Sequence, residues 1–158
     1  MPLNGSPLPN SVYISLDSRP KPNEYHWGLV FIDAKGGCVL YHALNRDGPW
    51  RFQERQGDPG DNSLTLITLV YVGPVNLRGA IDVVRSVPAD GKPSLRNREA
   101  FTCRTWVKDV LVALNLSGNI VLPSSVDSLE AKAKDMGARF FRVSEVGGGA
   151  TVVNPLDF

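Results

Sequence analysis

The apolar residues of this chain change their period after residue 75, and that change limits the fold more than any other feature. Up to residue 75 they fall in short alternating or continuous runs: Ser11–Leu16, Tyr25–Asp33, Cys38–Leu44 and Ser63–Val72. Runs of this kind read as strands. Ala34-Lys35-Gly36-Gly37 separates the second run from the third, which predicts a hairpin. Ser63–Val72 is apolar almost throughout (Leu64, Leu66, Ile67, Leu69, Val70, Tyr71), as expected of a strand near the middle of a sheet. From residue 76 to about residue 137 the spacing is helical. Asn76 caps a short helix with Leu77, Ala80, Ile81 and Val84 on one face. A longer helix over about Asn97–Leu116 carries Cys103, Val107, Val110, Leu111 and Leu114 as its stripe, with Trp106 beside it and Gly118 as its stop. A third, over about Ser125–Met136, ends at Gly137; Arg139–Val146 and Ala150–Val153 read as short strands or extended edges. Strands first and helices afterwards predict an α+β domain. Its sheet is antiparallel, of five to six strands, with the Cys103 helix packed on one face.

A chain of 158 residues is expected to form one domain with a core that needs neither disulfides nor metal. Residues 1–10, rich in Pro, Gly, Asn and Ser, read as a loose tail, and residues 11–158 as the domain. A formal charge of +1 gives no global field for nucleic acid or an acidic membrane surface. The local cluster Arg96, Arg98 and Arg104 reads as solvated surface around a helix start, or alternatively as an anion contact near Cys103. No segment has the length and apolarity of a membrane span or an export signal. A cytoplasmic protein with reduced cysteines and no stable membrane insertion is therefore expected. The two cysteines and two histidines lack the close pairing of a zinc site, and no metal or cofactor is expected.

Those four residues are where chemistry is to be sought. His26 lies in Tyr25-His26-Trp27-Gly28, at the start of an apolar strand. Cys103 lies in Phe101-Thr102-Cys103-Arg104-Thr105-Trp106, at the start of an apolar helix. A helix N-terminus favours the thiolate, and an imidazole can take the thiol proton. Cys103 is therefore the expected nucleophile and His26 its base. The alternative for each is plain packing: a buried Cys on an apolar stripe, a His at a strand end. Cys38 follows a Gly-Gly turn with no His of its own and reads as packing. Trp27 and Trp106 read as core, and Trp50, in Gly48-Pro49-Trp50, as the aromatic best placed to line a pocket. Trp27, Trp50 and Arg104 are the substrate-binding candidates.

The residue that orients His26 depends on hairpin parity. If the turn is centred between Lys35 and Gly36, Asn45 faces His26 and His42 points to the other side. One residue more or fewer in the turn puts His42 on the His26 face.

The Tyr-His-Trp-Gly strand opening, the Gly-containing hairpin, the second His on the return strand and the later Cys-initiated helix resemble the permuted papain-like thiol enzymes, among them the lecithin retinol acyltransferase-like proteins. The Cys helix also resembles that of the permuted deubiquitinase/desumoylase-like peptidases. The pairing of an early His-Trp with a later Cys-x-x-Trp-Val is similar to small fungal proteins, a likeness that carries no established activity with it. The resemblance implies a papain-like fold, a Cys103–His26 pair and His42 as the orienting residue. Thr102-Cys103-Arg104-Thr105 stands where the acyltransferases have Asn-Cys-Glu-His, which points away from a lipid substrate. The function expected is a cysteine-dependent hydrolase or acyl/peptidyl transferase acting on a small acyl, amide or polyketide-like compound. The alternatives are a tailoring or cyclising enzyme that uses the imidazole without thiol attack, and a catalytically silent binding protein of the same fold.

Overall fold

Alternation along residues 11–18 sends Val12, Ile14 and Leu16 to one side of a strand and Tyr13, Ser15 and Asp17 to the other, and the whole molecule is organised about those two sides. The structure is a computed structural model and describes residues 2–155. In chain order its elements are β1 (Leu3–Asn4), β2 (Ser11–Ser18), β3 (Tyr25–Ile32), β4 (Cys38–Leu44), β5 (Arg51–Gln56), α1 (Pro59–Asn62), β6 (Leu66–Pro74), α2 (Ala80–Ser86), α3 (Cys103–Leu116), α4 (Val126–Glu145) and β7 (Ala150–Val153). The strands form one sheet in the order β1-β7-β6-β2-β3-β4-β5. Strands β6, β2, β3, β4 and β5 pair antiparallel, and β7 joins β6 and β1 in parallel.

The α+β class and the mainly antiparallel sheet are as expected. The described strands number seven rather than five to six, because short parallel segments add β7 and β1 at one side. Part of the expected loose tail is thereby tied down. Leu3 and Asn4 pair with Ala150 and Thr151, the Leu8 N–H donates to the Tyr13 hydroxyl, and Asn154 donates to the Ser6 carbonyl. Met1, the first residue of that tail, lies outside the described residues.

Helices α2, α3 and α4 cover one face of the sheet. Trp106, Val107, Val110, Leu111 and Leu114 of α3 are fully buried there against Trp27, Leu29, Phe31 and Tyr41. Each such side chain contributes roughly 2 kcal/mol. Helix α3 is shorter at its start than the periodicity predicts. Residues 94–99 are held as a loop by the Ser94 N–H to Glu99 carbonyl and Arg98 N–H to Ser94 carbonyl bonds, with Arg98 at φ +66°. The helix then begins where the Thr102 hydroxyl accepts from the Thr105 amide, so Cys103 is its first residue.

Helix α4 is longer than predicted. Gly137 does not stop it, and residues 139–145, expected as strand, continue the helix. The glycine is there for space: a Cβ at 137 would lie 2.9 Å from Cζ of Tyr25 and 3.0 Å from Cδ1 of Leu16. Its helix and the sheet approach each other at that point. An ion-pair group joins α4 to α3. Lys108, only 5% exposed, meets Glu130 at 2.7 Å and Asp127 at 2.8 Å, and Glu130 also takes Arg104 and Lys134. Burial alone would raise the Glu130 carboxyl, but the hydrogen bonds from Lys108, Lys134 and Arg104 pull it down to about 2.

The other face carries no long helix. Tyr13, Val30, Ile32, Leu66 and Leu69 form a second apolar cluster on it. Beside that cluster the face opens into a polar cavity.

Candidate functional site

The site lies where β3 and β4 part. Their pairing covers Leu29–Ile32 against Cys38–Tyr41, and the first half of β3 has no partner on that side. Helix α3 fills the gap with its first residue. The Trp27 amide lies 3.4 Å from Cys103 Sγ, and the Tyr25 carbonyl oxygen lies 3.9 Å from it. The sulfur thus occupies the edge positions of β3 that a neighbouring strand would have taken. Cys103 is a free thiol, 4% exposed, and sits at the positive end of a 14-residue helix.

His26 emerges from the same stretch of β3 on the opposite face. The hairpin register decides its partner. Leu29 pairs with Tyr41 and Ile32 with Cys38, one residue off the register that would have set Asn45 opposite His26. This parity places His42 on the His26 face, and His26 Nε2 lies 2.7 Å from His42 Nδ1. Gly28 makes that diagonal approach feasible. A Cβ there would stand 2.8 Å from Cδ1 of Leu40 and from Ser15 Oγ, and 3.4 Å from the Cβ of His42. Asn45 lines the cavity but is not the partner of His26.

The hydrogen bonds fix the direction of the histidine chain. Arg19 Nη2 donates to His26 Nδ1 at 3.3 Å. A guanidinium can only donate, so His26 carries its proton on Nε2 and gives it to His42 Nδ1. His42 in turn donates from Nε2 to Gln53 Oε1 at 2.7 Å. The same Arg19 nitrogen lies 3.5 Å from Cys103 Sγ. Thiol and imidazole are therefore bridged by one guanidinium, and the lone pair of His26 Nδ1 faces it.

Both imidazoles are neutral in this arrangement. Burial, then His42, Arg19 and Arg46, push His26 down to about 3. Burial also lowers His42, against the opposing pull of Gln53 and Asp17. Asp17 stands opposite His26 in the β2–β3 register. Its carboxylate accepts from Ser63 Oγ at 2.5 Å and Thr65 Oγ1 at 2.9 Å, yet burial still raises its pKa.

The cavity holds about 840 Å³ and is lined by His26, His42, Asp17 and Gln53 but not by Cys103. The remaining candidates lie elsewhere. Trp27 is core on the helix face, 3% exposed. Trp50, expected in a pocket, is away from the cavity and packs edge-on against Phe101 at 4.9 Å, because β5 turns Phe52 and its neighbours toward the helices. Arg104 is engaged by Glu130 and Glu99 rather than open to a substrate, and Arg96 is held by Asp109. Cys38 is half-buried, its thiol raised by burial and then by Asp58 and Asp33. Among the described residues no group of three His, Cys, Asp or Glu side chains is placed to hold a metal, and no helix is long and apolar enough to cross a membrane.

Sequence reasoning missed Arg19, Asp17 and Gln53. Gln53 had a signal: Arg51, Gln53 and Arg55 alternate with Phe52, a strand pattern that sets Gln53 opposite His42. Asp17 and Arg19 carried none, being at the end of a strand and in the loop after it.

A model for a family of unknown function, DUF6914, matches residues 10–139. The chain belongs to DUF6914. The match takes in every residue of the site, from Asp17 to Cys103, and for this DUF6914 member no curated protein and no solved structure shows significant similarity.

Proposed function

We propose that this protein is a cysteine-dependent hydrolase or acyl/peptidyl transferase of permuted papain-like design, acting in the cytoplasm on a small acyl or amide compound. The observation that carries the reading is the directed chain from Gln53 through His42 to His26, whose Nδ1 lone pair meets the same guanidinium as a thiol at a helix N-terminus. Cys103 is the nucleophile, His26 the base, and His42, held by Gln53, a positioning residue.

In the reaction Arg19 swings aside and His26 Nδ1 takes the thiol proton. The thiolate attacks the carbonyl carbon, and the C=O pair moves to oxygen. The tetrahedral centre collapses, the leaving group departs with the proton from His26, and a thioester on Cys103 remains. Water or an amine then gives its proton to His26, adds to the thioester, and releases the thiol. With Arg19 docked, a second positive charge on His26 is costly, so the docked state is a resting one.

The test is site-resolved alkylation by iodoacetamide against pH, with Cys38 as internal reference. Alkylation draws on the molecules in which Arg19 has swung aside, so the reading expects Cys103 to be modified faster than Cys38 across the pH range and to be slowed in His26→Ala. Modification of Cys103 that is slower than that of Cys38, or indifferent to His26, would remove the thiol mechanism.

A second reading has its own support, since the cavity is lined by both histidines and Asp17 but not by the thiol. In it the imidazole acts as acid and base on a substrate held in the cavity, as in a tailoring or cyclising enzyme. Activity kept in Cys103→Ala and lost in His26→Ala would favour it.

A further inference from the structure

We propose that the cavity beside His26 is an anion-binding pocket, built from Arg19, Arg46, Arg51 and Arg55, for a small acyl compound bearing a carboxylate or phosphate group. That the compound is an acyl donor rests on the function proposed above; that it is an anion rests on the arginines alone.

Four arginines from three separate segments line this cavity. Arg19 comes from the β2–β3 loop, Arg46 from the β4–β5 turn, and Arg51 and Arg55 from one face of β5, on either side of Gln53. Of the arginines outside the cavity, Arg85 meets Glu54, Arg96 meets Asp109, and Arg104 meets Glu99 and Glu130, whereas Arg78, Arg98, Arg139 and Arg142 are exposed on the surface and line no part of this cavity. Among the described residues no salt bridge is formed by Arg46, Arg51 or Arg55. The acids of the cavity do not balance them. Asp17 is turned into its bonds with Ser63 and Thr65, and Asp47 is the one other carboxylate of the lining. A concave site with like charges converging on it, and room for a ligand of some twenty atoms or fewer, selects the opposite charge. Guanidiniums suit carboxylate and phosphate because both offer paired oxygens to the planar fork.

The same field acts on the base. Arg19 and Arg46 are among the groups that hold His26 neutral. An anion on these arginines would draw Arg19 from between His26 and Cys103 and offset the charge that opposes the imidazolium. Substrate binding would then free the base and make it usable.

The experiment is calorimetric titration of the Cys103→Ala protein, in which no reaction through the thiol can intervene. The probes are glutarate, pyrophosphate and, as the neutral counterpart, glutaramide. At least one anion is expected to bind and glutaramide is not; the anion that binds tells carboxylate from phosphate. In Arg46→Gln/Arg51→Gln/Arg55→Gln, three exposed positions, affinity is expected to fall about tenfold for each guanidinium that holds the anion. Absence of binding by both anions, equal binding of glutaramide, or unchanged affinity in the triple variant would overturn the proposal. A parallel comparison on the intact thiol separates it from the mechanism. Iodoacetate should modify Cys103 faster relative to iodoacetamide than it modifies Cys38, and the triple variant should remove that preference. A Cys103 that reacts readily with iodoacetamide while the titrations are silent leaves the thiol standing and the anion pocket refuted. An inert Cys103 with anion binding intact does the reverse.

Discussion

Acidification should destabilise this protein first through the buried histidine pair, and most strongly through His26, whose pKa is the further displaced. Its pKa is 6.5 when exposed and about 3 in the folded site. Between those values the unfolded chain binds a proton that the folded chain refuses. Stability is therefore full above pH 6.5 and lost as the pH falls toward about 3. One such proton is worth ~1.4 kcal/mol per pH unit, so the fall from pH 6.5 to ~4.5 removes at most ~2.7 kcal/mol. His26 lies at the wall of an open cavity, where water screens part of this, and we expect about 1.5 kcal/mol. Against a typical domain stability of about 5–15 kcal/mol, that is easily measured. The assay is urea unfolding at ~pH 7 and ~pH 4.5 for wild type and His26→Gln, which cannot titrate. With a slope near 2 kcal/mol per molar, the wild-type midpoint should drop by about 0.7 M more than that of the variant. Asp17 works in the opposite direction, since its raised pKa lets the folded state take a proton early. Its causes do not include His26, so it cancels in the comparison. Equal losses in the two proteins would show that the histidine chain does not hold His26 neutral, and the proton directions derived above would fall with it.

Three further outcomes follow from the packing. Gly137→Ala should lower Tm despite a helix-propensity gain of about 1 kcal/mol, because the Tyr25 ring or α4 must move at a cost of about 1–3 kcal/mol; a higher Tm would contradict the close approach. Thr102→Ala removes the cap of α3 and should cost about 1 kcal/mol, roughly 2–4 °C in a melting scan. It should also slow alkylation of Cys103 by loosening the turn that presents it. Glu130→Gln leaves Lys108 with the exposed Asp127 alone and should cost about 3 kcal/mol in urea unfolding. In the wild type the Glu130 contribution is present above pH 4.5 and is lost as the pH falls toward about 2. An acid limb unchanged by the substitution would contradict the assignment.

The four central apolar runs could be read as strands because their period follows from which side chains are buried, and burial is local in sequence. The same holds for the stripe of α3. The site was half legible for the same reason. Cys103 and His26 stand at element starts, where local chemistry marks them. The choice between His42 and Asn45 could not be read, because it turns on one residue of hairpin register, and either turn suits Ala-Lys-Gly-Gly. Gly137 misled because glycine answers two different needs, a backbone bend and a close neighbour. Only the position of Tyr25 across the interface distinguishes them. Arg19 was out of reach altogether: its role depends on a loop bringing it between two residues that are far apart in the chain.

Strand β7 is the last of the described strands in sequence, yet it lies between β1 and β6. As the chain is synthesised, β6 presents an unpaired, largely apolar edge until residues 150–153 arrive. The pairing they complete spans most of the chain, so its loop-closure entropy is large and its formation late. A protein whose synthesis halted before residue 150 would keep the site residues while leaving that edge open to other chains. Aggregation would then precede any loss of chemistry, and the yield of soluble protein would depend on four residues far from the thiol.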